Sequence, residues 1–263
     1  MSSDERAPKR FARKLRGAID KGDYGSSTVW GVASAELVSS ALLVLLSCLP
    51  TCCASANADP APPLQRALAS GLVVALLVQC VDHISGAHMN PSVTLAAAIS
   101  GHMSVSRAAI EWGAQLAGGV IGAAALSPLC GSDAGACVTR PASHLVGSQA
   151  VAVEALCTIC LVLANLSSWD SRNNSYKDSW PLRIGFVVSS LTLVAGDLTG
   201  ASMNPVRSFG PALFAGYWDQ HWVYWVGPLV GSCVGVALYA FAWRSPTPLP
   251  APPLASLYAD ADL

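Results

Sequence analysis

Two Asn-Pro pairs, Asn90-Pro91 and Asn204-Pro205, carry the most chemistry in this 263-residue chain. Asn is favoured as a helix N-cap and Pro at the first helical position. Each pair therefore marks a helix start where an amide and several backbone N–H groups are on offer. Arg207 follows the second pair and adds a fixed cation with several donors. Two carboxylates lie upstream, Glu36 and Glu154, 54 and 50 residues before the two Asn. Both sit in apolar surroundings, where an ionisable group is a functional candidate by default. A proton relay is one reading, but neither carboxylate has a Lys or Arg partner within its apolar run. No nucleophile–base pair, metal-spaced cluster or phosphate loop accompanies them. The chain reads as a non-enzyme that needs no cofactor and no metal.

The elements that position these residues follow from composition. Soluble domains average about 25% charged residues, whereas this chain has 12%, with 52% hydrophobic residues. Mean hydropathy is +0.46. The net charge of −1 gives no basic balance for nucleic acid. A bilayer core takes about 20 mainly apolar residues per helix. Six stretches meet that, near 30–49, 64–81, 105–126, 145–166, 182–195 and 222–243; the fifth is short as a strict apolar run. The first follows about 29 polar and basic residues, unlike a cleaved signal peptide. With both termini inside, Arg6, Lys9, Arg10, Arg13, Lys14, Arg16, Lys21, Arg107, Arg172, Lys177, Arg183 and Arg244 fall inside. Only Arg66, Arg140 and Arg207 fall outside, so both termini are expected in the cytoplasm.

Two further apolar stretches, 88–99 and 204–215, are too short to span and read as half-helices starting at Asn90 and Asn204. They belong to a repeat. Ser85-Gly86-Ala87-His88-Met89-Asn90-Pro91 and Thr199-Gly200-Ala201-Ser202-Met203-Asn204-Pro205 agree at five of seven positions. Each half holds three spans and one half-helix, and three is odd, so the second half is inverted relative to the first. The two half-helix N-termini then meet near the bilayer midplane. Their positive dipole ends and the Asn90 and Asn204 amides favour a neutral acceptor such as water over a cation. Unpaired carbonyls at that depth are tolerated only along a wet cavity. Those of Gly86, Ala87, His88, Gly200, Ala201 and Ser202 are expected to form an acceptor ladder. The competing reading, two ordinary buried helices each capped by Asn-Pro, would fit one copy better than two.

Asn90-Pro91-Ser92 and Asn204-Pro205-Val206, with Arg207 following, resemble the paired Asn-Pro-Ala boxes of the aquaporin (major intrinsic protein) family. So do His83-Ile84-Ser85-Gly86-Ala87-His88, Arg207-Ser208-Phe209-Gly210-Pro211-Ala212, and the run from His221 through Tyr224-Trp225 to Pro228. The resemblance covers residues 29 to 244 and departs at Ser92 and Val206. It implies an all-α membrane protein, six transmembrane helices plus two re-entrant half-helices in a right-handed bundle. It also implies a homotetramer with one pore per subunit, and gives Glu36 and Glu154 the role of bracing the loops. The expected layout is a basic cytoplasmic segment 1–29, a channel domain 30–244 (repeats 30–127 and 145–244) and a Pro-rich tail 245–263. The plasma membrane is the expected location, with the lipid bilayer as partner.

The same resemblance places a narrow filter at Ser70, Thr192, Ala201 and Arg207. Strict water channels of the family carry Phe and His at the first two. Small hydroxyl side chains there imply a wider neck that passes water together with small polyols or urea. Such a filter resembles that of the entomoglyceroporins, as does Trp169-Asp170-Ser171-Arg172-Asn173. A retained Phe is usual in that group, so Ser70 departs from it. Ser208, Ala212 and Tyr224-Trp225 instead resemble the water-selective branch. A strict water channel and a poorly conducting junction protein therefore remain as alternatives.

Nine Cys are scattered without metal-site spacing. Cys130 and Cys137 fall in one outer loop and are candidates for pairing. Cys157-x-x-Cys160 lies inside an apolar run and reads as packing. His83 and His88 are expected to brace the turn beside them. Asn165-Leu166-Ser167 and Asn173-Asn174-Ser175 fit the glycosylation pattern, at a span end and on the cytoplasmic side, so neither is expected to carry sugar. Gly118 with Gly122, and Gly227, Gly231 and Gly235, recur every four residues and read as seams for close helix packing within a subunit.

Overall fold

The structure, a computed structural model, describes residues 27–56, 61–130 and 134–243. The expectations placed on the basic N-terminal segment before residue 27 and on the Pro-rich tail lie outside the described residues.

The described chain is helical and contains no strand. Helix α1 is Val29–Ala56, α2 Pro63–Ser85, α3 Pro91–Ile99 and α4 Val105–Cys130. After the 3-10 turn Ala134–Cys137 come α5, Gly147–Trp169, and a second 3-10 stretch, Ser171–Ser179. Then follow α6, Trp180–Thr199; α7, Pro205–Ala215; and α8, Val223–Ala242. Among the described residues six helices are long and apolar enough to cross a membrane, while α3 and α7, with 9 and 11 residues, are not. The fifth span is the 20-residue α6, longer at both ends than its apolar run, because Trp180-Pro181 starts the helix and Gly200 stops it.

Helices α1–α4 and α5–α8 repeat one another. Helix α1 packs along α4 and α5 along α8, while α2 and α6 pack against each other between the repeats. Each half-helix leaves its own repeat and lies against the last helix of the other: α3 on α8, α7 on α4. The glycine seams sit inside the chain. A Cβ on Gly118 or Gly122 of α4 would overlap the α1 backbone at Leu37 or Ala41. One on Gly227 would come 2.7 Å from the Glu154 Cβ, and one on Gly231 2.8 Å from the Thr158 Cβ, both on α5.

The burial pattern suits a lipid surround. Leu64, Leu68, Leu72 and Leu76 form an exposed apolar stripe on α2, and Val226, Val230, Val234 and Leu238 one on α8. Glu36, Glu111, Gln115 and Glu154 are fully enclosed. With no hydrophobic drive between helices in lipid, close small-residue packing and interior hydrogen bonds must hold the bundle.

Candidate functional site

The two loops that enter the half-helices share one backbone shape. Gly86 closes α2 at φ 90° and Gly200 closes α6 at φ 86°. Beyond them Ala87 and Met89 stand at φ 49° and 50°, Ala201 and Met203 at 46° and 53°. A left-handed non-glycine residue costs roughly 1–2 kcal/mol, so the shape persists only where its surroundings hold it. Two carboxyl groups do so. Glu36 accepts from Ser85 Oγ (2.6 Å), His88 N (3.0 Å), Met89 N (2.7 Å) and Gln115 Nε2 (2.7 Å). Glu154 accepts from Thr199 Oγ1 (2.7 Å), Ser202 N (2.9 Å) and Met203 N (2.7 Å). Four donors fill the usual acceptor capacity of a carboxylate, which leaves Glu36 without a lone pair to relay a proton.

The Asn-Pro pairs cap their helices. Asn90 Oδ1 accepts from Ser92 N at 2.8 Å, and Asn204 Oδ1 from Val206 N at 3.0 Å and Arg207 N at 3.4 Å. Their amides then cross between the repeats. Asn90 Nδ2 donates to the Met203 carbonyl at 2.9 Å, and Asn204 Nδ2 to the Met89 carbonyl at 2.7 Å. A side-chain amide has two N–H donors. One is spent on the crossing, which leaves one for the cavity that both residues line.

That cavity, about 90 Å³, runs from Asn165 and Trp180 at one end, past both Asn residues, to Arg207 at the other. The loop residues Gly86, Ala87, His88, Gly200, Ala201 and Ser202 all line it. A second cavity of about 180 Å³ opens beyond, bordered by Arg66, Thr139, Arg140 and Asp197. Five residues line both: Ser47, Ser70, Thr192, Gly200 and Arg207. These five stand where the two cavities meet, a position termed the neck. Ala201, expected among the filter residues, borders only the inner cavity. At the neck Arg207 Nη1 donates to the Cys137 carbonyl at 2.9 Å, leaving other donors of its fork for a passing molecule.

Sequence reasoning missed several of these residues. Ser47, eleven residues beyond Glu36 on α1, is buried, and its hydroxyl has no hydrogen-bond partner among the described residues. The adjacent Cys48 thiol interacts with it, but without ordinary hydrogen-bond geometry, and a thiol is a weak partner. Asn165, first met only as a poor glycosylation site, is buried, donates to the Leu161 carbonyl at 2.9 Å and borders the cavity. A polar cluster behind α3 also went unread. Glu111 accepts from Arg107 Nε at 2.8 Å, lies 2.9 Å from His88 Nδ1, and Gln115 Nε2 donates to Thr94 Oγ1 at 2.9 Å. Arg107 and Glu111 stand four apart on α4, a spacing that pairs side chains on a helix. That spacing was the available signal.

Two expectations need correcting. Cys137 pairs with Cys52 of α1 rather than with Cys130. Helix α1 runs beyond its apolar stretch to residue 56 and so carries Cys52 to the 3-10 turn. His83 is exposed on α2 and makes no hydrogen bond to the turn among the described residues, whereas His88 reaches Thr94 and Glu111. Cys157 and Cys160 are both free thiols. No group of three or more His, Cys, Asp or Glu gathers to hold a metal among the described residues.

Comparison with known proteins gives the same picture. The family model described as Major intrinsic protein matches residues 24–239. The chain is similar to aquaporin-4 of Notomys alexis, 37% identical over 218 residues, covering 81% of this chain and 67% of that protein. It is also similar to human aquaporin-2, 43% identical over 185 residues, covering 70% and 68%. Among solved structures it is similar to the aquaglyceroporin from Plasmodium falciparum, with a TM-score of 0.68 at 20% identity, covering 82% of this chain and 97% of that one. Inverted repeat, paired Asn-Pro half-helices and family match agree: the chain belongs to the major intrinsic protein family, a multi-pass integral membrane channel and not an enzyme.

Proposed function

We propose that this channel passively conducts water and small uncharged solutes, glycerol and urea among them, while excluding protons and ions. The observation that carries this reading is the neck, where Ser47, Ser70, Thr192 and Gly200 stand with Arg207 and, among the described residues, no aromatic ring. Small side chains leave room beside the guanidinium, and their hydroxyls replace water around a polyol or urea. Arg207 repels cations, and the dipole ends of α3 and α7 with Asn90 and Asn204 do so again at the midplane. The carbonyls of Gly86, Ala87, His88, Gly200 and Ser202 supply acceptors along the path, and Glu36 and Glu154 hold the loops that present them. Ala201 shapes the wall just inside the neck.

In this reading both termini are cytoplasmic, the Arg207 end faces outside, and the chain assembles as a homotetramer in the plasma membrane. The Lys and Arg bias supports the orientation. Likeness to aquaporin-2 and aquaporin-4 favours a second reading, a strictly water-selective pore. Stopped-flow light scattering on proteoliposomes decides between them. Osmotic shock with an impermeant solute reads water flux, and re-swelling in glycerol or urea reads solute entry. Re-swelling at the protein-free rate would overturn the solute reading and leave the water pore.

A further inference from the structure

The acceptor that holds Arg207 is itself tied covalently to a different helix. Cys137, the last residue of the 3-10 turn, forms a disulfide with Cys52 near the end of α1, 85 positions earlier, with a Cα–Cα distance of 6.2 Å. Both residues are buried, at 0% and 2% exposure. The carbonyl of the same Cys137 accepts from Arg207 Nη1, and Cys137 borders the outer cavity immediately beyond the neck. Two residues on, Thr139 Oγ1 donates to Ser208 Oγ at 2.7 Å, next to Arg207 in the chain. Segment 137–139 is thus fastened through sulfur to α1 and through a hydroxyl to α7, and Arg207 rests on it between the two.

We propose that the Cys52–Cys137 disulfide is a positioning link for the filter, one that fixes the Cys137 carbonyl and through it the Arg207 guanidinium at the neck. An arginine side chain is long and has many rotamers. The other neck residues, Ser47, Ser70, Thr192 and Gly200, offer no bulky ring to confine it. The carbonyl acceptor therefore carries more of that task here than in a crowded neck, and the acceptor is only as steady as the segment bearing it. The orientation proposed above puts the bond on the outer side, where disulfides persist. The inference rests on the reading of the neck as the filter.

The test uses the full chain in proteoliposomes, comparing the parent with Cys52→Ala, Cys137→Ala and the double variant. Mass spectrometry of unreduced peptides should find Cys52 linked to Cys137 in the parent; free thiols there overturn the proposal. Water flux is read on Cys52→Ala, whose side chain borders neither cavity, and should stay within about two-fold of the parent. Proton leak under an imposed pH gradient should rise at least about three-fold, and the solute-to-water permeability ratio should shift. A link is lost with either end, so each single variant should equal the double, whereas independent packing effects would add. Variants with normal water flux and a parent-like proton leak overturn the proposal, even if they melt earlier. Should the variants insert poorly, the parent is treated with a water-soluble phosphine. That reagent reduces the S–S bond to two thiols and becomes the phosphine oxide with oxygen from water. The same rise in leak is expected, and no rise after confirmed reduction counts against the link. A parent that admits neither glycerol nor urea overturns the proposed solute range alone, because proton leak reports on the link without either solute.

Discussion

At the scale of single residues, the two asparagines do two things at once, capping a helix with the oxygen and bridging the repeats with the nitrogen. Asn204→Asp keeps the size but exchanges the donor to the Met89 carbonyl for an oxygen acceptor. Two acceptors would then face each other at the midplane. Water permeability should fall at least about ten-fold, or cation currents should appear; parent-like flux with parent-like ion exclusion would defeat the midplane-donor assignment. The neck gives a second prediction. Ser70→Phe with Thr192→His places two rings beside Arg207. Glycerol and urea entry should drop at least about ten-fold, with water flux within a few-fold of the parent and each single change intermediate. Continued glycerol entry through the double variant would show that these positions do not set the width. Ser47 was not legible at this scale. Its place at the neck depends on how α1 lies against α2 and α4, which no local motif records. Asn90, Asn204 and Arg207 were legible because their types and spacing repeat within the chain.

At the scale of elements, close approach between helices is a matter of missing side chains. Gly122→Val would force a branched side chain into the α1 backbone at Ala41, and overpacking of this kind costs roughly 1–3 kcal/mol or more. Gly113→Val on the same helix meets nothing within 4 Å. In detergent, the first variant should melt several degrees below the parent or fail to accumulate, while the second should stay close to it. The loop into α8 carries a pH-dependent contact. His221 is buried beside Trp218, Tyr224 and Phe209, and its Nε2 accepts from Trp225 Nε1 at 3.1 Å, an assignment that puts the ring proton on Nδ1. Burial pushes its pKa below the usual histidine value. The folded chain therefore binds this proton less readily than the unfolded chain. The stabilising contribution is complete above about pH 6.5 and is lost as pH falls through the lowered folded value. Melting temperature should fall between pH 7.5 and 5, and His221→Gln should flatten that slope; an unchanged slope would remove His221 as its source. Helix existence and type were legible from the apolar runs. The Cys52–Cys137 pairing was not, since nine cysteines allow many partners and only the length of α1 brings these two together.

At the scale of the whole molecule, the exposed apolar faces are wider than a single α-helical stripe, and α2 and α8 each carry one. Some of that surface meets lipid, and the proposed tetramer would cover part of the rest. Native mass spectrometry in mild detergent should show a species of four times the 27.1 kDa chain mass, with a monomer peak alone counting against assembly. The inverted repeat was legible as a whole because an odd number of spans separates two copies of one motif. The exchange of half-helices, with α3 resting on α8 and α7 on α4, was not legible, because it is a matter of packing between segments far apart in the chain. The crossed amides have a consequence for biogenesis. Their two hydrogen bonds join residues 113 and 115 positions apart, and long-range closures of this kind come late in folding. As the chain leaves the ribosome, α3 can enter the bilayer but has neither α8 to lie on nor Met203 to bind. The conduit thus does not exist in a half-made chain, because its wall from Leu161 to Arg207 is still to come, so a product arrested after the first repeat lacks half of the path.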